Sequence, residues 1–207
     1  DGKENGLYEW FEHPGGSLSE RAIYKDGLKN GLHEWFLSDG SLEQRGIYKD
    51  GKENGLYEWF EHPGGVMNKR GIYKDGKENG LYEWFHVDGS LSQRAIYKDG
   101  VKNGLQEYFR FDGTLSARAT NKDGLENGLH EWFLSDGSLN QRAIFKDGLK
   151  NGLYEWFNNP DGSLSERAIY RDGLKNGLYE WFHPDGSLSQ RAIFKDGKEN
   201  GLYEWFH

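Results

Sequence analysis

Cysteine is absent from the 207 residues, and methionine occurs once. Without thiols there is no disulfide framework, no zinc knuckle and no thiol chemistry. That absence fits the cytoplasm and a bacterial surface equally well. Proline is scarce. Its four copies, Pro14, Pro63, Pro160 and Pro184, all stand in Gly-containing stretches that read as turns, as a sheet demands. No apolar run approaches the ~20 residues of a membrane-spanning helix, and no signal peptide is evident. The chain opens on Asp1 rather than Met, which points to a processed chain or a segment of a longer array. Localisation is read as a bacterial cell surface or secreted, with the cytoplasm as alternative.

A block of basic charge is also missing. The net charge is −8, and it is spread evenly. The stretch from Lys25 to Tyr48 sets Lys25, Lys29 and Arg45 against Asp26, Glu34, Asp39 and Glu43. Without a basic stripe the footprint for nucleic acid is lacking, and so is the polybasic patch for anionic lipid.

What the chain has instead is repetition. Gly-Leu-Tyr-Glu-Trp-Phe stands at Gly6 to Phe11 and returns, with small changes, through Gly201 to Phe206. All eight tryptophans occupy its fifth position, and Tyr108 takes that place in the remaining copy. Asp-Gly turns separate units of 24 or 25 residues. A repeat of this period signals stacked hairpins rather than one globular core. Residues 1–207 read as one continuous array of about eight and a half repeats.

Each unit reads as two strands. The first is Leu-Tyr-Glu-Trp-Phe; the second is of the type Leu91 to Tyr97. Both are rich in β-formers and bounded by Gly turns. No stretch shows helical periodicity, so no helix is expected. The turns are Asp-Gly-Ser, or its Pro-containing variant, and Lys-Asp-Gly-x-x-Asn-Gly. Three units carry one extra residue in the first kind of turn, the last at Asn158 to Gly162. An insertion placed there leaves the strand register intact.

Alternation sorts the side chains. Tyr and Trp share a face with Gln, Ala or Gly, and Tyr or Phe of the second strand. The simplest pairing sets Trp35 opposite Leu42, adds that Leu to the same face, and puts Glu34 diagonal to Arg45. The small residue of the second strand, such as Ala22 or Gly46, is expected beneath the next Trp. The opposite face carries Leu, Glu, Phe, Ser, Arg and Ile.

The candidate binding or packing residues are therefore Tyr8, Trp10, Trp35, Tyr57, Trp59, Tyr82, Trp84, Tyr108, Trp132, Tyr154, Trp156, Tyr179, Trp181, Tyr203 and Trp205. Packing of the sheet's own aromatic side is favoured, because a repeat needs the same contact at every step. A stacking platform for ligands is the other reading. Glu and Arg recur once per unit, which suits structural ion pairs; a catalytic acid needs a unique pocket. Asp26 to Gly31 lacks the third-place oxygen and closing Glu of a calcium loop. No His pair has metal-ligand spacing. Catalytic residues, metal and cofactor are all expected to be none. Gln106, Tyr108, Arg110, Phe111, Thr120 and Asn121 form the most divergent zone, read as drift in a tolerant unit or a local site.

The pattern from Tyr24 to Leu42, Tyr-Lys-Asp-Gly-x-x-Asn-Gly-Leu-x-Glu-Trp-Phe-x-x-Asp-Gly-Ser-Leu, resembles the bacterial variant of the MORN repeat, which occurs in antitoxin-like proteins. The resemblance covers the whole chain. It implies an all-β fold: an elongated, single-layer, twisted antiparallel sheet of tandem β-hairpins. Closure into a β-solenoid or propeller is the alternative. It also implies scaffolding, self-association or lipid binding, the last carried by basic members, and no shared catalytic residues. The functional expectation is a non-enzymatic spacer, surface fibre or scaffold. It would pair with itself, edge to edge or through its apolar face, or with another protein. The alternative is a binding module whose Tyr/Trp groove holds a protein segment, a glycan or a choline-like group.

Overall fold

The computed structural model describes residues 2–157 and 161–206. Among them there are strands and turns and no helix. The strands are β1 (Gly6–Phe11), β2 (Leu18–Lys25), β3 (Leu28–Phe36), β4 (Leu42–Lys49), β5 (Lys52–Glu61), β6 (Val66–Lys74), β7 (Lys77–Phe85), β8 (Leu91–Lys98) and β9 (Val101–Phe109). They continue as β10 (Leu115–Lys122), β11 (Leu125–Phe133), β12 (Leu139–Lys146), β13 (Leu149–Trp156), β14 (Glu166–Arg171), β15 (Leu174–Phe182), β16 (Leu188–Lys195) and β17 (Lys198–Trp205). The backbone divides into two compact units, residues 1–101 and 102–207. In the first, β1 to β8 pair antiparallel, each with the next in sequence. In the second, β9 to β17 do the same. Both are single-layer meanders, and neither closes into a barrel or blade.

The Lys-Asp-Gly-x-x-Asn-Gly segment is not one turn. Only Asp-Gly turns: Asp26 has φ 53° and Gly27 has φ 82°. Two left-handed residues in succession give the tight hairpin turn whose twist matches the flanking strands. The x-x-Asn-Gly residues belong to the following strand, where they form a bulge. Ala22 faces His33 and Tyr24 faces Lys29, so one intervening residue on β2 meets three on β3.

That bulge has two uses. Its glycine admits a neighbour: at Gly55, with φ 136°, an added Cβ would stand 2.9 Å from Ile47 Cβ. Its asparagine holds the next turn. Asn30 Nδ2 donates to Asp50 Oδ1 at 3.2 Å, and the Gly51 N–H donates to the Lys29 carbonyl at 2.9 Å. The same tie recurs from Asn127 to Asp147 and from Asn176 to Asp196. The Asn-Gly pairs that looked like turn residues therefore stitch successive hairpins together.

Where Asp-Gly-Ser or Asp-Gly-Thr closes the other end of a hairpin, Asp is again the turn former. Asp39 Oδ1 accepts from the Ser41 N–H at 2.9 Å. Here the simplest pairing fails. Trp35 faces Gln44, and Phe36 faces Leu42, so Glu43 is an extra residue in a bulge. The longer connections keep the same register, with Tyr8 facing Ala22 as His33 faces Gly46. Asn158, Asn159 and Pro160 lie outside the described residues.

Candidate functional site: two faces of unlike exposure

The two faces of the sheet differ in how far they are covered. On the aromatic face Tyr57, Tyr82, Tyr154 and Tyr179 are buried. Tyr8, Trp10, Trp35, Trp59, Trp84, Trp132 and Trp156 are half-buried. Tyr108, Trp181, Tyr203 and Trp205 are exposed. From His33 to Tyr97 the rings of the first unit touch in succession: Tyr57 lies 4.4 Å from Trp59, 5.8 Å from Tyr73 and 6.1 Å from Trp35. Offset and tilted rings at such separations attract one another beyond their buried area. This face is the nearest thing the sheet has to a core.

The small residue of the second strand lies under a Tyr or His, not under a Trp. Ala22 faces His33 and Gly46 faces Tyr57. The indole is displaced because the register sets residue two of Leu-Tyr-Glu-Trp-Phe, not residue four, opposite the small residue. Burial pushes the Tyr154 hydroxyl up to about 12 and raises Tyr57 and Tyr82 as well. Water is kept from these rings.

Two units place His where the others have Tyr. His33 is fully buried and stacks on Trp35 at 3.7 Å. His130 stacks on Trp132 at 3.9 Å. His33 Nε2 is 2.5 Å from Glu20 Oε1, and its Nδ1 has no hydrogen-bond partner among the described residues. Glu126 Oε1 lies 3.4 Å from His130 Nδ1 without hydrogen-bond geometry. Burial holds both imidazoles below the ordinary value, aided at His33 by Lys29 and opposed by Glu20.

The divergent zone is a matched set of substitutions. Gln106 stands in a Tyr place and Asn121 in a Tyr or Phe place, and both are buried. Asn121 Nδ2 donates to Gln106 Oε1 at 3.1 Å, and Gln106 Nε2 donates to the Tyr108 hydroxyl. A small polar network thus replaces two rings and engages the hydroxyl of a third, Tyr108. Each buried polar group in it finds a partner, as burial requires. Arg110 anchors the adjoining turn to the carbonyls of Leu115 and Phe133.

The opposite face is open. Ile47, Leu56, Ile72, Leu81 and Ile96 are each between 37% and 39% exposed. In every hairpin of the first unit the Leu of one strand is directly opposite the Ile of the next, as Leu32 is to Ile47 and Leu56 to Ile72. The result is a continuous aliphatic row. Beside it run the charged rows. Glu34 faces Arg45 directly, not diagonally. The ion pair, however, forms with the strand that follows: Arg21 donates to Glu34, and Arg45 Nε donates to Glu58 Oε2 at 2.5 Å. Each guanidinium also covers a Phe ring, Arg45 over Phe60 at 5.9 Å. The Glu side chains are buried beneath, and the Arg side chains reach solvent.

Among the described residues no group of three His, Asp or Glu stands together to hold a metal. No helix is long and apolar enough to cross a membrane. The aliphatic face was the part that sequence reading undervalued. Its signal was present in the recurring Leu and Ile places, broken only at Thr120, which alternate with Glu and Arg.

Residues 175–196 match the family model described as a MORN repeat variant, which bears out the resemblance read from Tyr24 to Leu42. No curated protein matches the chain. Among solved structures, the crystal structure of TarM is 14% identical over 47% of this chain and 20% of that one, with a TM-score of 0.32. A mutant of S. aureus TarM, in complex with Fondaparinux, alpha-GlcNAc-glycerol and UDP, is 12% identical over 58% of this chain and 20% of that one, with a TM-score of 0.28. The chain thus spans about a fifth of the length of these structures.

Proposed function

We propose that this array of MORN-like hairpins is a non-enzymatic scaffold that holds a protein partner, a second copy of itself or another chain, along a regular surface. The observation that carries the reading is the uncovered aliphatic row, from Ile47 through Leu56, Ile72 and Leu81 to Ile96. A contiguous apolar stripe of that kind marks an interaction surface. The Glu row does not argue for catalysis: Glu58, Glu83, Glu131 and Glu155 are each tied to the Arg of the preceding strand. Light scattering over a concentration series tests self-association. Growth of the particle with concentration supports the chain as its own partner, whereas a strict monomer at the highest concentration restricts the partner to another protein.

One observation favours a second reading, in which the aromatic face takes a cationic group. The chain's own ammonium groups already sit on those rings. Lys175 Nζ lies 3.9 Å above Tyr179, and Lys150 Nζ lies 4.2 Å above Tyr154. Where this Lys place is Glu53 or Glu78, the rings carry a carboxylate neighbour instead, Tyr73 facing Glu78. A quaternary ammonium probe would then quench tryptophan emission saturably; an unchanged spectrum removes this reading.

A further inference from the structure

We infer that the Leu/Ile–Arg face over residues 32–96 is a docking track for an extended acidic, aliphatic peptide segment. Its carboxylates would sit on the Arg row and its aliphatic side chains between the Leu and Ile residues. The inference deepens the scaffold reading and rests on it.

The Arg groups are prepared for an anion. Arg45 and Arg70 each donate from Nε to a carboxylate, Glu58 and Glu83, at 2.5 Å. Neither makes another hydrogen bond among the described residues. Their guanidinium carbons lie 5.9 Å and 5.5 Å from the Phe60 and Phe85 ring centroids. The ion pair on one edge and the ring beneath fix the plane. The hydrogen bond to Glu58 or Glu83 engages only Nε, which leaves the two Nη groups of each fork for another acceptor. A fork with two parallel N–H donors is what a carboxylate accepts best, and a fork already held in place loses less freedom on binding.

The sign of the exposed charge selects the occupant. Arg45 and Arg70 side chains are each 43% exposed, whereas Glu58 and Glu83 are 7% and 12% exposed. This face therefore shows positive charge to solvent although the chain as a whole is −8. A second copy laying down the same face would set Arg against Arg. An acidic segment would not.

The aliphatic positions supply the rest. A hollow of about 260 Å³ lies between Leu32, Ile47 and Leu56, beside Arg45. The next, of about 190 Å³, lies between Leu56, Ile72 and Leu81, beside Arg70. Such hollows admit a side chain rather than a small-molecule ligand. One hollow and one Arg recur every two strands, or ~9.6 Å. Three residues of polyproline II span ~9.3 Å, whereas a helical heptad spans ~10.5 Å. The extended chain keeps step better, so an aliphatic side chain at every third residue would fall into successive hollows.

The test uses the full chain and a labelled synthetic peptide of Leu-Glu-Pro repeats, followed by fluorescence anisotropy. Saturable binding is expected, weakening as salt rises. Leu-Lys-Pro and Ser-Glu-Pro repeats should each bind at least about tenfold more weakly. So should the Leu-Glu-Pro peptide with an Arg45→Lys, Arg70→Lys chain, which keeps a cation on Glu58 and Glu83 and loses the outward fork; circular dichroism verifies its fold. Ile72→Glu should abolish binding. Equal affinity for the Lys-containing peptide, or no change in the double Lys variant, overturns the proposal. Absence of peptide binding in a chain that self-associates by sedimentation also overturns it and leaves the scaffold reading standing. Absence of any association overturns it too and removes the chain as its own partner.

Discussion

Tyr57 lies across the bare Cα of Gly46: a Cβ added there would stand 2.3 Å from the ring's Cδ2. Gly71 holds Tyr82 in the same way, at 2.2 Å. These two tyrosines stack on the Trp two residues on, at 4.4 Å and 4.5 Å. Where the facing residue is Ala143 or Ala168, the partner Tyr154 or Tyr179 makes no such stack. It carries a Lys ammonium over its ring instead. The bare Cα of Gly46 or Gly71 thus leaves the space that the tyrosine ring occupies.

Gly46→Ala should therefore convert the third unit to the Ala type. The Tyr57–Trp59 stack should open and its near-ultraviolet circular dichroism signal should fall, with the sheet retained. The expected cost is about 1–2 kcal/mol, as for a modest overpacking. A near-ultraviolet spectrum unchanged from the parent would show that the ring does not need the bare Cα.

The Arg–Glu rows predict an asymmetry. Arg45→Ala leaves Glu58, which is 5% exposed, as a buried carboxylate without its cation. That should cost about 1–3 kcal/mol. Replacing both residues by Leu should cost less than the single change, because no charge is then stranded. Urea denaturation of the single and double variants checks the order.

His33 and His130 predict acid sensitivity. Burial lowers both pKa values, so the unfolded chain binds more protons than the folded one as pH falls through the ordinary imidazole range. Stability from these two groups is fully present above about pH 6.5 and declines below it, toward the folded value. His33→Tyr together with His130→Tyr, the residue found at the same place in other units, should flatten the melting temperature between about pH 7.5 and 5.5. An undiminished slope in the double variant would place the titration elsewhere.

The Asp-Gly turns predict a small effect of fixed sign. Asp50 sits at φ 49° and accepts from Asn30 Nδ2. Asp50→Ala places a Cβ residue in the left-handed region without that bond and should destabilise by about 1 kcal/mol, whereas Asp50→Gly keeps the backbone at ease. Melting temperatures of the two variants distinguish them.

Much of this architecture was legible in the sequence. The tryptophan period and the Asp-Gly punctuation located the strands, and alternation put Tyr57, Trp59 and Gly46 on one face. What alternation misses is a bulge. An extra Glu43 moves Trp35 from Leu42 to Gln44, and the extra residues around Asn30 and Gly31 move the small residue from Trp to Tyr or His. Propensity places Asn-Gly in turns, yet here it lies within strands, because its side chain serves the neighbouring turn and its φ admits Ile. The faces were sorted well; their exposure was not. A row of Leu and Ile between Glu and Arg reads as mixed, and only the depth of the Glu side chains shows that the face is aliphatic with a positive rim.

The aromatic face is the sheet's core and the aliphatic face its free surface. Urea unfolding of Trp84→Ala and Leu81→Ser, two near neighbours on β7 that point to opposite faces, tests it most directly. Trp84→Ala should lower stability by about 3–5 kcal/mol, as a core deletion does. Leu81→Ser should cost less than about 1 kcal/mol, as a surface change does. Equal losses, or the larger loss at Leu81, would contradict the account.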